Sequence, residues 1–245
     1  MNHKIITGET IPEWAAALNY LEADRLLHID MIEPLRRGSA ELLCTGENGV
    51  LVYDRSARLY LISAKTPEAA ADMAAEMKEP VLAAAHQEYT AQIVAEMFGL
   101  RQTMCCRQTM WPVRQPPAVP AADIELRMLT AEAENEIFSL YSHDIGREYI
   151  RGRLLAGEML GAFISGELAG FIGLHEEGSM GMLEVRPAYR RRGIASQLIA
   201  GLSAQQLSSG RIPFSQFVFT NEQSEALHRH LGFAISKEYV YWLEQ

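Results

Sequence analysis

The sequence predicts a mixed α/β protein in which a sheet of parallel and antiparallel strands carries helices on its faces. Three observations predict it. Short apolar runs follow one another across glycine-containing turns, which is typical of antiparallel hairpins. Other runs are separated by segments with helical periodicity, which favours parallel neighbours. With 245 residues, 48% of them hydrophobic, the chain is long enough for one large domain or two ordinary ones.

The N-terminal part begins with helical periodicity that starts at Ile11 and continues to Leu35. After Gly49 the pattern changes to short strands separated by turns, with proline opening one helix and Gly99 closing another. From Gly49 onward the predicted elements are strands Val50–Tyr53 and Leu59–Ser63, helix Pro67–Met77, strand Pro80–Ala85, helix Glu88–Phe98 and strand Gln102–Trp111.

The stretch from Trp111 to Pro120 carries four prolines, at positions 112, 116, 117 and 120. Proline removes backbone donors and holds the chain extended, so a linker is the favoured interpretation. We therefore expect two domains, residues 1–118 and 119–245. The alternative is an irregular edge segment within one continuous domain.

After the linker the predicted order is β-α-α-β-β-β-α-β-α-β, a mixed sheet with helices. Thr130 is a candidate N-cap for the first of these helices, and Ser165-Gly166-Glu167 is the turn of a hairpin. The predicted elements are strand Ile124–Met128, helices Ala131–Tyr141 and Gly146–Leu155, strands Leu160–Ile164, Leu168–Leu174 and Ser179–Val185, helix Ile194–Gln206, strand Phe214–Phe219, helix Ser224–His230 and strand Ile235–Leu243.

The two halves end in similar runs of elements. Each finishes with a helix, a glycine beside an aromatic residue, and a strand that carries tryptophan, Trp111 or Trp242. This similarity predicts a weak internal repeat, with chance similarity as the competing explanation.

Composition narrows the classes of function. The net charge of −9 argues against nucleic acid and suits a cationic substrate such as an amine. Three cysteines, of which Cys105 and Cys106 are adjacent, favour reduced thiols, and the histidines do not show the spacing of metal ligands. No apolar run approaches the length of a membrane span or a signal peptide. We expect a soluble cytoplasmic protein without a metal, and with neither a nucleic-acid nor a membrane partner.

The segment with the clearest chemistry runs from Met182 to Leu198. An apolar strand ends before Pro187, arginines at 190, 191 and 192 precede Gly193, and a helix begins at once. The first turn of a helix leaves N–H groups unpaired, and Gly193 lets the backbone come close to a ligand. Positive charges at the start of a helix are repelled by the positive end of its dipole. A bound phosphate therefore explains the three arginines better than an exposed, solvated turn does.

This segment resembles the GNAT superfamily of acyltransferases. Residues 190–195 are similar to its Arg/Gln-x-x-Gly-x-Gly/Ala loop, which holds the pyrophosphate of acyl-CoA, and residues 185–190 to the preceding Val-x-Pro-x-Tyr-Arg. Asn221 to Phe233 resembles the second signature, Asn-x-x-Ser/Ala-x-x-Leu-Tyr-x-x-Leu-Gly-Phe. The resemblance covers the C-terminal half, and the long N-terminal extension is most similar to the FR47-like, glycine-N-acyltransferase-like branch.

The resemblance implies where acetyl-CoA binds as the cosubstrate. Backbone groups of Leu183 and Val185 would pair with the pantetheine arm, and the amide of Val185 would donate to the thioester carbonyl. Asn221 would contact the arm as well. The residues expected to hold the cosubstrate are Leu183, Val185, Arg190, Arg191, Arg192, Gly193, Ile194, Ala195, Ser196 and Asn221.

Two residues are the catalytic candidates. Glu184 lies between apolar neighbours in the strand that lines the acyl site and is the first candidate base; the alternative is an arginine partner on the other face. His228 replaces the tyrosine with which this superfamily often protonates the thiolate, and an ordinary helix-surface histidine is the alternative. Tyr189 and Tyr149 are further candidate donors, while His143, Asp144 and Arg147 could recognise the acceptor.

The N-terminal half lacks the phosphate loop, because Ala64-Lys65-Thr66 alone separates its strand from its helix. A degenerate GNAT-like subdomain is therefore expected, which completes the substrate cleft or forms a homodimer contact. The predicted function is direct N-acetyl transfer to a primary amine of a small molecule or peptide, without a covalent intermediate. The alternative is a non-catalytic acyl-CoA-binding sensor.

Overall fold

A computed structural model describes residues 12–120, 123–143 and 145–245. The predicted helix start at Ile11, the N-terminal residues that were expected to lack a signal peptide, and Asp144 lie outside these residues. The chain divides into two compact units. The first contains the chain up to Met110 with residues 216–225 and 234–245, and the second contains residues 111–215 and 226–233. The division into domains at residue 118 stays a prediction.

The first unit contains four helices and six strands within its described residues. Helix α4 has the predicted bounds, and Gly99 ends it in the left-handed conformation at φ 69°. Thr66 caps α3, since its hydroxyl oxygen accepts the N–H of Ala69 at 3.2 Å. The elements are α1 Pro12–Glu22, α2 Ile29–Arg37, β1 Ala40–Gly46, β2 Gly49–Asp54, β3 Leu59–Ala64, α3 Pro67–Ala74, β4 Leu82–Ala85, α4 Glu88–Phe98, β5 Arg101–Met110 and β11 Ala234–Glu244.

The sheet of the first unit has the order β1-β2-β3-β4-β11-β5. Strands β3 and β4 are parallel, joined by helix α3, and the other pairs are antiparallel. Strand β1 was not predicted. The helical periodicity predicted from Ile11 to Leu35 is interrupted between Glu22 and Ile29, so that α1 and α2 are separate helices.

The elements predicted after the linker occur in the predicted order, and all of them except the last strand, β11, lie wholly or partly in the second unit. The hairpin turn is confirmed, because Ser165 and Gly166 both have positive φ, as a two-residue hairpin turn requires. Thr130 holds the predicted N-cap position, in extended conformation before the 3₁₀ turn Ala131–Ala133 that opens the helix, but its side chain makes no capping hydrogen bond. The elements are β6 Glu125–Met128, α5 Glu134–Leu140, α6 Arg147–Leu155, β7 Met159–Ile164, β8 Glu167–Leu174, β9 Met180–Val185 and α7 Ile194–Ser208, followed by β10 Phe214–Val218 and α8 Glu222–Leu231, which have residues in both units.

The sheet of the second unit is packed on both faces. Its order runs from the start of β10 through β9, β8 and β7 to β6, with β9 and β10 parallel. One face packs against α7 through Leu198 and Leu202, and the other packs against α5 and α6 through Ile137 and Ile150. These observations confirm the predicted mixed α/β fold. In the part of the chain described here, no helix has the length and apolar character needed to cross a membrane.

The interior of the first unit contains a polar network. His28 lies between the Leu21 carbonyl, 3.1 Å from Nδ1, and the Ser63 hydroxyl, 2.9 Å from Nε2. His86 forms an ion pair with Asp30 at 2.8 Å, and neither side chain is exposed to solvent. Burial, together with the nearby charge of His86, lowers the pKa of His28 to about 4. His28 is therefore neutral in the folded protein at neutral pH.

This arrangement predicts acid-sensitive stability. In the unfolded chain His28 takes up a proton below its ordinary pKa of about 6.5, whereas the folded protein excludes that proton until the pH falls to about 4. The contribution of neutral His28 to the free energy of unfolding is thus fully present above about pH 6.5. It falls by about 3 kcal/mol as the pH is lowered from 6.5 to 4. Urea unfolding at several pH values measures this loss, and His28→Gln, which cannot titrate, should show a shallower decline. An equal decline in both proteins would contradict the assignment.

Candidate functional site

Strand β9 carries a bulge in the middle of its pairing with β8. Gly173 pairs with Gly181 and Phe171 with Glu184, so two residues of β9, Met182 and Leu183, lie opposite a single residue of β8. Met182 has φ 51°, in the left-handed region. A bulge of this kind bends the strand and redirects its side chains, and bulges are frequent beside functional sites.

The end of β9 turns backbone groups of Val185 away from β8. Arg186 donates its N–H to the carbonyl of Ala169 on strand β8, at a distance of 2.9 Å. Because successive residues of a strand direct their backbone groups to opposite edges, those of Val185 face the other edge. Strand β10 joins that edge at Ser215, opposite Met180, and Leu183 and Val185 lie farther along β9 than this pair. The backbone groups of Val185 thus face the edge at which pairing with a pantetheine arm was predicted, and that pairing stays a prediction.

The loop after β9 adopts a special backbone conformation. A 3₁₀ turn at Pro187–Tyr189 leads into Arg191 with φ 62° and Gly193 with φ 77°, and α7 begins at Ile194. Gly193 is the N-cap residue and offers no side chain to bond the first N–H groups of the helix. Left-handed residues at a helix start turn successive N–H groups toward one point, which is the geometry that binds anions.

The three arginines of the loop differ in their contacts. Arg190 folds back over β9, where its Nε donates to the Val185 carbonyl at 3.1 Å and its Nη2 to Glu184 at 3.3 Å. Arg192 lies over the Tyr189 ring, 5.4 Å from its centre. Arg191 is exposed and forms no ion pair with another described residue. The loop thus presents at least one guanidinium for an anion.

Glu184 is held by two neighbours. The Ser142 hydroxyl donates to one carboxylate oxygen at 2.7 Å, while Arg190 bonds the other, and the side chain is 14% exposed. Burial and the charge of Glu184 raise the pKa of the adjacent Tyr141 to about 12. The carboxylate thus has the arginine partner that the sequence left open as an alternative, and its role as a base stays a prediction.

His228 lies in the interior of the second unit. The residue is 7% exposed, so the interpretation as a helix-surface histidine is wrong. Its Nε2 is 2.7 Å from the hydroxyl of Ser215 on β10, and the Phe233 ring meets it edge-on. The predicted proton donor therefore has a polar partner that the sequence did not reveal.

Three of the other candidates for donating a proton or recognising the acceptor contact neighbouring side chains. They are Tyr189, Arg147 and His143. Tyr189 lies beside the loop, as predicted, and donates its hydroxyl to Glu167 at 2.6 Å. Arg147 bonds Glu134 and Asn135, and its guanidinium lies over the Phe138 ring. His143 contacts the Tyr141 ring edge-on. These contacts explain the positions of the side chains without a ligand.

Tyr149 has a partner on the turn between β8 and β9. Its hydroxyl oxygen is 2.9 Å from Nδ1 of His175, and burial together with the charge of Glu177 raises the pKa of Tyr149. The imidazole of His175 lies against Gly181, where an added Cβ would be 2.3 Å from Nε2. Sequence reasoning missed His175, although a glycine inside a strand is a signal that another group approaches closely.

Asn221 immediately precedes helix α8 and caps its start. Its side-chain oxygen accepts the N–H of Ser224 at 3.0 Å, which leaves the amide NH₂ for another partner. The predicted contact of Asn221 with a pantetheine arm stays a prediction.

The first unit has helices and strands in the same order as the second. Its own side chains, however, bond the backbone at the end of β3, the strand that corresponds to β9. Ala64 ends β3 as Val185 ends β9, and its N–H donates to the Gln87 side chain at 2.9 Å. The Ala64 carbonyl accepts the Tyr89 hydroxyl at 2.5 Å. Both backbone groups of Ala64 are thus bonded by the protein itself. No group of three potential metal ligands occurs among the described residues, and the expected absence of a metal stays a prediction.

A comparison of sequences gives one family match. Residues 159–243 match the family described as FR47-like protein. This segment begins with β7 and includes β9, the arginine loop and nearly all of β11. No curated protein matches the chain.

Solved structures share the fold over nearly the whole chain. An X-ray structure of a Drosophila protein from a structural genomics consortium is 17% identical, covers 96% of this chain and 97% of that one, and has a TM-score of 0.69. A GCN5-related N-acetyltransferase from Kribbella flavida is 11% identical over 90% and 95% of the two chains, with a TM-score of 0.58. An acetyltransferase of the GNAT family from Colwellia psychrerythraea is 12% identical over 97% and 99%, with a TM-score of 0.53.

Proposed function

We propose that this chain, whose residues 159–243 match the FR47-like family, is an enzyme of the GNAT superfamily that transfers an acetyl group from acetyl-CoA to a primary amine. The transfer is direct, with the amine nitrogen attacking the thioester carbon. A tetrahedral intermediate then collapses and releases CoA as its thiol.

The observation that carries this proposal is the loop between β9 and α7. Left-handed Arg191 and Gly193 open a helix whose first N–H groups have no side-chain cap within the described chain. In a domain with net negative charge, an exposed arginine beside such a helix start supplies local attraction for a diphosphate. The N–H groups of Arg191 to Ser196 would hold the diphosphate of acetyl-CoA.

The orientation of β9 supports the placement of the thioester. Backbone groups of Leu183 and Val185 face the edge that the pantetheine arm would extend along, as an added strand does. A backbone N–H at this edge stabilises the negative charge that grows on the thioester oxygen during attack. The Val185 carbonyl is bonded to Arg190 in this structure, and phosphate binding to Arg190 would free that carbonyl for the arm.

The first test is ligand binding. Acetyl-CoA should raise the melting temperature, since a ligand that binds only the folded state stabilises it. Calorimetry should give one equivalent per chain, because Gln87 and Tyr89 already occupy the backbone of Ala64 in the first unit. Absence of any acetyl-CoA binding would overturn the proposal.

The second test is turnover with a panel of amines. Glycine, glutamine, spermidine, kanamycin and a tripeptide with a free N-terminus represent the acceptor classes, and release of the CoA thiol is the readout.

A second candidate function is an acyl-CoA sensor, which the burial of His228 against Ser215 favours, because a buried donor is less available to the thiolate. Binding without turnover on any amine would support the sensor.

The proposal also includes a cytoplasmic location, a homodimer, and an acceptor amine that belongs to a small molecule or peptide. The negative net charge of the chain supports a cationic acceptor. Analytical ultracentrifugation with and without acetyl-CoA tests the dimer.

A further inference from the structure

Arg190 bonds two adjacent residues at the end of β9. Its Nε donates to the Val185 carbonyl at 3.1 Å, and its Nη2 donates to a carboxylate oxygen of Glu184 at 3.3 Å. The second contact is also an ion pair. We call this arrangement the closed position of Arg190. In it, one guanidinium group bonds both a backbone carbonyl and a side-chain carboxylate of the same strand.

The closed position covers a backbone group that the acetyl donor is predicted to use. Val185 directs its backbone groups to the edge of β9 at which the pantetheine arm would pair. A guanidinium that is bonded to the Val185 carbonyl lies at this same edge, so it obstructs an amide N–H that approaches the carbonyl. Arg190 and the pantetheine arm therefore compete for one acceptor.

The partners of the closed position differ in exposure. The Glu184 side chain is 14% exposed, and its other oxygen accepts the Ser142 hydroxyl at 2.7 Å, so the carboxylate is held from two sides. The Arg190 side chain is 58% exposed, so its guanidinium can leave β9 without opening the core. Ion pairs with a partner this exposed are weak, and a stronger anion can therefore displace the carboxylate.

The loop that follows Arg190 is where such an anion is proposed to bind. Arg190 directly precedes Arg191, the first residue whose N–H is proposed to hold the diphosphate. A diphosphate carries more than one negative charge and bonds a guanidinium through paired oxygens, which a single backbone carbonyl cannot do. Because a ligand shifts an equilibrium only through its different affinity for the two states, a ligand without phosphates would not favour the departure of Arg190 from β9 in this way.

We propose that Arg190 is a specificity-determining residue that admits acetyl-CoA and disfavours acetyl thioesters without phosphates. This inference rests on the proposed binding of acetyl-CoA. The diphosphate draws the guanidinium from Val185 and Glu184 to the start of α7, which opens the edge of β9 to the pantetheine arm. A thioester without phosphates binds only the fraction of molecules in which Arg190 has left the closed position, and its apparent affinity falls with that fraction.

The test compares two ligands on the same variant. Acetyl-CoA is titrated by calorimetry, and S-acetylpantetheine, the same thioester without the phosphates and adenosine, by NMR. Arg190→Met should weaken acetyl-CoA binding about tenfold, because a phosphate contact is lost. It should strengthen S-acetylpantetheine binding about fivefold, because the closed position is lost. Arg190 has φ −61° and ψ 156°, which methionine adopts without strain, and the melting temperature verifies that the variant is folded.

Two further variants separate the closed position from a general effect of charge. Arg191 is exposed and forms no ion pair with another described residue, so Arg191→Met should weaken acetyl-CoA binding and leave S-acetylpantetheine binding unchanged. Glu184→Gln removes the charged partner and keeps Arg190, so both ligands should bind about twofold to threefold more tightly. Adding Glu184→Gln to Arg190→Met should give no further gain for S-acetylpantetheine, because both substitutions remove the same contact.

The outcomes distinguish this inference from the proposed function. If acetyl-CoA does not bind the wild-type protein, the proposed function fails, and the role of Arg190 fails with it. If acetyl-CoA binds but Arg190→Met binds S-acetylpantetheine no more tightly than the wild type does, the proposed function stands and the role of Arg190 is overturned. An equal gain for S-acetylpantetheine in Arg191→Met would also overturn it, since the cause would then be the lost charge.

Discussion

Gly193→Val should weaken acetyl-CoA binding by about 100-fold while the protein remains folded. Gly193 has φ 77°, a conformation that a β-branched residue adopts only with strain of about 1–3 kcal/mol. In the free variant the loop relaxes to a negative φ, and the N–H groups at the start of α7 no longer converge. Binding must then restore the strained conformation, which costs affinity in proportion to the strain, and the branched side chain obstructs the diphosphate as well. Isothermal titration with acetyl-CoA measures the loss.

Gly210→Val is the matched control for this prediction. Gly210 follows the other end of α7, has φ 72°, and like Gly193 has no atom within 4 Å of an added Cβ. The two substitutions should therefore lower the melting temperature by similar amounts. Equal loss of acetyl-CoA binding in both variants would show that the effect comes from damage to the helix, and the loop would lose its assigned role.

Much of the fold could be predicted because the signals are local. Helix α4 ends at Gly99, whose left-handed conformation is available to glycine at low cost, and the predicted bounds are the observed ones. Strand β1 was missed because its sequence, Ala-Glu-Leu-Leu-Cys-Thr-Gly, does not alternate and most of its residues are partly buried. The separation of α1 from α2 was missed because apolar residues continue through the intervening turns, with Leu26 and Leu27 at helical positions.

The candidate site likewise has a part that the sequence could reveal and a part that it could not. The arginine loop is contiguous in sequence, so its residue types and its glycine could be recognised together. The pair Tyr149 and His175 is separated by 26 residues, and the pair Ser215 and His228 by 13. Such pairs depend on which face of a strand meets which helix, and the bulge at Met182 changes that alternation after the middle of β9. A single sequence does not reveal the bulge, so it could not show which residues of β9 share a face.

The largest expected effect on stability comes from Asp30→Ala in the first unit. Asp30 has no exposed surface, bonds His86 at 2.8 Å through one carboxylate oxygen and accepts from Gln216 at 3.1 Å through the other. Burial by itself would lower the pKa of His86, but the adjacent Asp30 carboxylate outweighs this effect and raises that pKa. Removing Asp30 leaves a buried imidazole without its counter-charge, which should lower the free energy of unfolding by about 3–5 kcal/mol. Urea unfolding at pH 7 measures the change.

A double-mutant cycle with His86→Ala separates the ion pair from the loss of packing. If the two side chains stabilise each other, the double variant should lose less stability than the sum of the single variants, with a coupling energy of about 1–3 kcal/mol. Asp24→Ala is the control, because Asp24 is exposed and caps the Leu27 N–H at 3.1 Å, and about 1 kcal/mol is expected from its removal. Additive losses in the cycle would mean that the pair contributes no mutual stabilisation. The polar interior of this unit would then be held by packing and by neutral hydrogen bonds such as that from the Trp242 indole to Gln216.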